Sequence, residues 1–186
     1  MTASIRALAL LAAIAGATPA MAEISLLAPR DELLVAAYNQ DLDGVRAQLL
    51  GGASANRADT EGRTALMYAS VAGNAEIVRV LLDRGAWAEM RDRFGNTALM
   101  LAADRGRIDA AELLLARGAK VDADNRQGVT PLMQAAASGW VEMVRLLLKR
   151  GADPSRQDYS GFSALDWAER SNQRRTAEVL RRTAPR

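Results

Sequence analysis

Four glycines, Gly62, Gly95, Gly128 and Gly161, stand 33 residues apart along the chain (62, 95, 128, 161). Each opens a similar phrase: Gly62-Arg63-Thr64-Ala65-Leu66, Gly95-Asn96-Thr97-Ala98-Leu99, Gly128-Val129-Thr130-Pro131-Leu132 and Gly161-Phe162-Ser163-Ala164-Leu165. A second series keeps the same step: Gly52-Ala53, Gly85-Ala86, Gly118-Ala119 and Gly151-Ala152. A period of this length signifies supersecondary units stacked as a solenoid rather than one core around one cleft. It favours an extended binding surface over a catalytic pocket.

The chemistry of one period predicts two short helices and a turn. Thr64, Thr97, Thr130 and Ser163 are N-cap residues for an inner helix. Pro131 suits the first helical position, where its missing N–H costs nothing. Leu66 and Ala69, Leu99 and Ala102, and Leu132 and Ala135 are three apart and share a helix face. Gly73, Gly106 and Gly139 end that helix in a left-handed conformation. Glu76, Asp109 and Glu142 then fall in the first turn of an outer helix, where the helix dipole favours negative charge. Val78, Leu81 and Leu82 and their counterparts pack it, and Gly85, Gly118 and Gly151 stop it. Asp59, Asp92, Asn125 and Asp158, three residues before each phased glycine, are turn formers.

These phased residues resemble the ankyrin repeat. The second unit carries the family's pattern as Asp59, Gly62, Thr64-Ala65-Leu66, Ala69, Gly73, Glu76-Ile77-Val78, Leu81-Leu82 and Gly85-Ala86. The third and fourth units match at nearly all of these positions. The fifth retains Asp158, Gly161, Ser163-Ala164-Leu165, Ala168 and Val179-Leu180 but loses its later glycines, and Leu33, Ala36-Ala37, Val45, Leu49-Leu50 and Gly52-Ala53 fit a degraded first unit. The resemblance implies an all-α solenoid of helix-turn-helix units with projecting finger loops over residues 29–183. Its units are a degenerate N-terminal cap (29–58), full units at 59–91, 92–124 and 125–157, and a C-terminal cap unit (158–183) with Arg174, Arg175, Arg181 and Arg182 on its last helix. One departure is systematic: the family's turn histidine is replaced by Met67, Met100 and Met133, then Asp166. Methionine is expected only to fill space there, leaving the turn to the threonines.

Residues 1–22 stand outside the repeat. Arg6, the apolar run Ala7–Ala17 and the Ala20-Met21-Ala22 site before Glu23 have the three-part order of a secretory signal peptide. The run is shorter than the ~20 residues of a spanning helix. Neither a twin arginine nor a cysteine accompanies it, so the expected route is Sec-type, without a lipid anchor. The expected mature chain starts at Glu23, with a linker at 23–28 and a tail at 184–186. Its expected location is the periplasm of a Gram-negative bacterium, without membrane insertion after cleavage.

Composition narrows the chemistry. The sequence holds neither cysteine nor histidine, so thiolate nucleophiles, disulfides, Ser-His-Asp triads and the common zinc sites cannot be built. No catalytic residue, cofactor or metal is expected, and the chain is read as a non-enzyme. The net charge is +2, from 24 basic and 22 acidic residues, or +1 once Arg6 is removed (23 against 22). A nearly neutral chain gives no electrostatic case for nucleic acid. Asp122-Ala123-Asp124-Asn125 has the look of a calcium loop but lacks its Gly and closing Glu, and falls on the inter-repeat turn. The acids Glu76, Asp109 and Glu142 recur with the beat and read as helix starts rather than a hydrolytic pair. The Met67, Met100 and Met133 ladder reads as packing before an oxidation sensor. The C-terminal arginines read as a solvated cap before an anion-binding surface.

Positions that depart from the beat carry the functional expectation. In the family, variable finger-tip and inner-helix positions line a concave binding face. Carried over residue by residue, the candidates are Arg63, Arg93, Phe94, Asn96, Arg105, Arg126, Gln127, Tyr159, Phe162 and Arg170. Arginine and aromatics, the commonest hot-spot types, are concentrated there although aromatics are only 4% of the chain. Trp87 and Trp140 are secondary candidates that could instead cover repeat junctions. The expectation is a monomeric protein-binding module in the periplasm; an envelope structural role or a toxin-antidote role is the alternative.

Overall fold

The computed structural model describes residues 31–183; the signal-peptide expectation at 1–22, the linker at 23–28 and the tail at 184–186 lie outside them. Among the described residues ten α-helices follow in pairs: α1 (Glu32–Tyr38) and α2 (Leu42–Leu50), α3 (Ala65–Ala72) and α4 (Ala75–Asp83), α5 (Ala98–Asp104) and α6 (Ile108–Ala116), α7 (Pro131–Ser138) and α8 (Val141–Lys149), α9 (Ala164–Arg170) and α10 (Arg174–Thr183). Odd-numbered helices pack on their odd neighbours and even on even, giving an inner and an outer layer, and the stronger contacts join helices of the same or adjacent units. This is the stacked two-layer solenoid that the period demands.

Inner helices begin where the sequence places their caps. The hydroxyls of Thr64, Thr97, Thr130 and Ser163 accept the backbone N–H three residues on, at Met67, Met100, Met133 and Asp166. Small residues then bring the helices together: Ala65, Ala69, Ala98, Ala102, Ala135, Ala136 and Ala168 are buried, interleaved with Leu66, Leu99 and Leu132. From the outer layer Ile77, Val78, Leu81, Ala111, Leu114, Val144 and Leu147 complete the core. Each large aliphatic buried this way contributes about 1.5–3 kcal/mol relative to leaving it in water, and none could be buried by an isolated pair.

The methionines do more than fill space. The sulfurs of Met100 and Met133 accept the backbone N–H of Thr97 (3.5 Å) and Thr130 (3.4 Å), closing reciprocal capping boxes. The expectation of pure packing is thereby corrected for Met100 and Met133, where a thioether sulfur, a weak acceptor, faces a buried donor with no alternative; the second unit shows only the Thr64 half of the box at Met67. Asp166 serves the same end in the fifth unit, its carboxylate accepting the Ser163 N–H at 2.8 Å as well as the Ser163 hydroxyl. Those bonds hold the Asp166 carboxyl below the usual carboxylate range.

The two units that lost their turn glycine still adopt its conformation. Gly73, Gly106 and Gly139 have φ of 83°, 63° and 77°, and the residues one period away, Gln40 and Asn172, have φ of 60° and 57°. The same local bond closes the turn in each: the Asp41 N–H donates to the Ala36 carbonyl (2.9 Å) and the Gln173 N–H to the Ala168 carbonyl (2.8 Å), as the Asn74 N–H does to Ala69 (3.1 Å).

Between units, one acceptor recurs in phase. Asn56, Glu89 and Asp122 each accept a backbone N–H from 31 residues on, at Trp87 (2.7 Å), Lys120 (2.9 Å) and Asp153 (3.1 Å). The first acid of the calcium-like stretch is therefore engaged in a junction bond. Asp124 faces Arg91 and Arg156 at 3.9 and 3.8 Å.

Candidate protein-binding face

Each finger is a tight turn closed on its own acid or amide. The Oδ1 atoms of Asp59, Asp92, Asn125 and Asp158 accept the N–H groups two and four residues on, at 2.8–3.1 Å. The glycine two residues before each cap has positive φ, from 76° to 86°. A Cβ at Gly95 would stand 2.9 Å from the Arg126 backbone nitrogen, so glycine is what lets one finger lie against the next.

The tips are tied in series by single backbone bonds. Arg93 N–H donates to the Glu61 carbonyl (2.8 Å), Arg126 N–H to the Phe94 carbonyl (3.1 Å) and Tyr159 N–H to the Gln127 carbonyl (3.0 Å). This ladder brings Arg93, Phe94, Arg126, Gln127 and Tyr159 into one row. Phe94 is 43% and Tyr159 74% exposed. Arg93 bridges the row, paired with the Glu61 carboxylate and stacked 4.6 Å from the Phe94 ring centre. Such a stacked guanidinium keeps its charge while its flat face is held.

The other candidates sit deeper or farther along. Arg170 reaches back over Phe162 at 4.2 Å. Arg63 is half-buried, its N–H held by Asp59. Asn96 lies below the tips, its amide oxygen accepting from Asn125 (2.9 Å) and Gln134 (3.4 Å). Arg105 does not join the row: it follows α5 at the far end of the groove, paired with its neighbour Asp104, about 10 Å from the finger end at 1.5 Å per helical residue.

The groove floor holds a phase that the sequence reading passed over. Tyr68, Leu101, Gln134 and Trp167 are one period apart, and only the two aromatics, Tyr68 and Trp167, share a role. Tyr68 donates its hydroxyl to Asp59 Oδ2, and burial together with that bond pushes its phenol well above the ordinary range. Trp167 donates its indole N–H to Asp158 Oδ2 at 3.0 Å. Tyr38 meets Tyr68 edge to face, centroids 5.6 Å apart. Absence of repetition at a strictly phased position was the available signal.

The sequence matches the family model for ankyrin repeats (3 copies) over residues 33–125 and 119–184. The chain is an ankyrin-repeat protein. No individual curated protein matches it. Ankyrin repeats are in general protein–protein interaction modules. Among the described residues, no helix is long and apolar enough to cross a membrane.

Trp140 belongs to the frame of this ankyrin-repeat protein rather than to the face. Its indole N–H donates to the Asp104 carbonyl at 2.8 Å, and one period earlier Arg107 Nε donates to the Val71 carbonyl at 3.1 Å. Both satisfy a carbonyl at the end of the preceding inner helix, which lacks an intrahelical partner. Trp87 has no such role for its ring and is 68% exposed.

Proposed function

We propose that this ankyrin-repeat protein is a secreted, periplasmic module that works as a monomer, without catalysis, by holding a protein partner against its finger tips and inner helices. The observation that carries this reading is the tip ladder. It lines up Arg93, Phe94, Arg126, Gln127 and Tyr159 on backbone bonds that exist before any partner arrives. A surface ordered in advance loses little conformational entropy on docking. Arginine and aromatic side chains at its centre are the types that dominate interface energetics. The signal-like residues 1–22 support the address.

The test is a cross-linked pull-down from the periplasm with the tagged mature chain. The double variant Arg93→Glu, Phe94→Ala is expected to lose the partner and keep its helical circular dichroism. Unchanged capture overturns the face. Cell fractionation checks the address, and a cytoplasmic pool with an intact N-terminus overturns it.

A further inference from the structure

The groove floor contains a cavity of about 430 Å³ between the third and fifth units, at the small end of the range for ligand pockets. Asp104, Gln134, Asp158, Ser160 and Trp167 contribute to its lining, and neither arginine nor lysine does. That is notable in a chain with 24 basic residues and arginines along the rim above.

We propose that this cavity receives an arginine side chain of the protein partner. The inference rests on the reading of the inner face as the partner surface and adds the chemistry of what enters it.

Three features of the lining converge. The Asp158 carboxylate is 7% exposed. It is held by the N–H groups of Ser160 and Phe162 (both 2.9 Å) and by the Trp167 indole (3.0 Å), and among the described residues it faces no cation within ion-pair distance. A carboxylate drawn out of water without a countercharge favours a cation nearby. Asp104 adds a second carboxylate, accepting from the Ser138 hydroxyl at 3.2 Å. Its pairing with Arg105 is between exposed groups and is readily exchanged.

The third feature is Gln134. Its Oε1 is buried and has no donor, while its Nε2 donates only at 3.4 Å, to Asn96. A buried acceptor without a partner is costly. The terminal torsion of glutamine is soft, so a donor entering the cavity gains this oxygen by a small rotation of the amide. Acceptors spread over several walls suit the planar fork of a guanidinium, with its five N–H donors, better than the point charge of an ammonium. Trp167 supplies the aromatic wall that arginine stacks on.

The test uses two short capped peptides of alanines around one central residue, arginine in one and its neutral isostere citrulline in the other, titrated to millimolar concentration into the isotope-labelled full chain. The arginine peptide is expected to shift the Trp167 indole and Gln134 amide resonances, and the citrulline peptide to leave them in place. Asp104→Asn is expected to weaken the arginine peptide at least tenfold. Equal shifts from both peptides, shifts at Trp87 or Trp140 in place of Trp167, or no shift overturn the proposal. Loss of the cavity result with partner capture still dependent on Arg93 and Phe94 removes the arginine site and leaves the face. Loss of both removes the face as well.

Discussion

The ring of Trp140 lies over Gly106 so closely that a Cβ at Gly106 would stand 2.6 Å from Trp140 Cδ2. Gly106 also has φ of 63°, so a side chain there meets both a wall and backbone strain. Gly106→Ala is expected to destabilise the chain, and to cost less in a Trp140→Ala background, with a coupling of about 0.5–3 kcal/mol. Trp140→Phe, which keeps an aromatic ring but loses the pyrrole part of the indole with its N–H, is expected to cost at least about 1 kcal/mol. Urea denaturation of the four-member cycle and of Trp140→Phe checks both; strict additivity in the cycle would contradict the packing.

The Thr130 and Met133 capping box separates a strong bond from a weak one. Thr130→Ala removes an N-cap hydroxyl and is expected to cost about 1 kcal/mol. Met133→Leu conserves volume and removes only the sulfur acceptor of a 3.4 Å contact, so a loss smaller than that of Thr130→Ala is expected. A larger loss for Met133→Leu than for Thr130→Ala would mean that the sulfur, not the hydroxyl, holds the turn. Thermal melts of the two variants decide it.

Left-handed turns at non-glycine residues give stabilising substitutions. Gln40 has φ of 60° and Asn172 of 57°. Asparagine tolerates that region better than glutamine. Gln40→Gly is therefore expected to stabilise by about 0.5–1 kcal/mol and Asn172→Gly by less. Denaturant midpoints of the two single variants test the order.

Asp166 makes the last unit sensitive to acid. Its carboxylate is favoured in the folded chain by the Ser163 hydroxyl and N–H, so its folded value lies below the unfolded one, about 3.9. Stability from this contact is fully present above the unfolded value and is lost as pH falls through the folded one. Carbon-detected titration of Asp166 is expected to show a depressed midpoint, and Ser163→Ala to move it up. A midpoint at the ordinary aspartate value would contradict the bond.

Repetition made the frame readable. Threonine caps, positive-φ glycines, the acid at each outer helix start and the turn-forming Asp59, Asp92, Asn125 and Asp158 lie where a 33-residue beat puts them, because each performs one local task that its own side chain or backbone suffices to do. What escaped the beat depends on contacts across units. That Met100 closes a capping box follows from its being buried beside a donor with no other acceptor, and methionine advertises no such role. Trp140 could be named as a binding candidate or a junction cover, and only the bond it shares in kind with its phase-mate Arg107 shows it reaching back one unit. The face was half legible. Finger-tip arginines and aromatics could be named, but Arg105 and Arg170, both near inner-helix ends, part ways because Arg170 finds the Phe162 ring and Arg105 pairs with Asp104. The groove floor of Tyr68, Leu101, Gln134 and Trp167 went unseen because its residue type changes from unit to unit, and the bond that Tyr68 and Trp167 share with a turn aspartate shows only in three dimensions.

The single backbone bond between successive finger tips makes the stack indifferent to its own length. Arg93 needs only Glu61 above it, and Tyr159 only Gln127; no tip senses a unit two places away. A duplicate of residues 92–124 spliced in register would present the same donor to the finger before it and the same acceptor to the finger after it. The groove could grow by a tooth or shed one through simple gene duplication or deletion, with the terminal pairs left as they are. A partner of different reach could thus be met by changing how many times the same sentence is spoken.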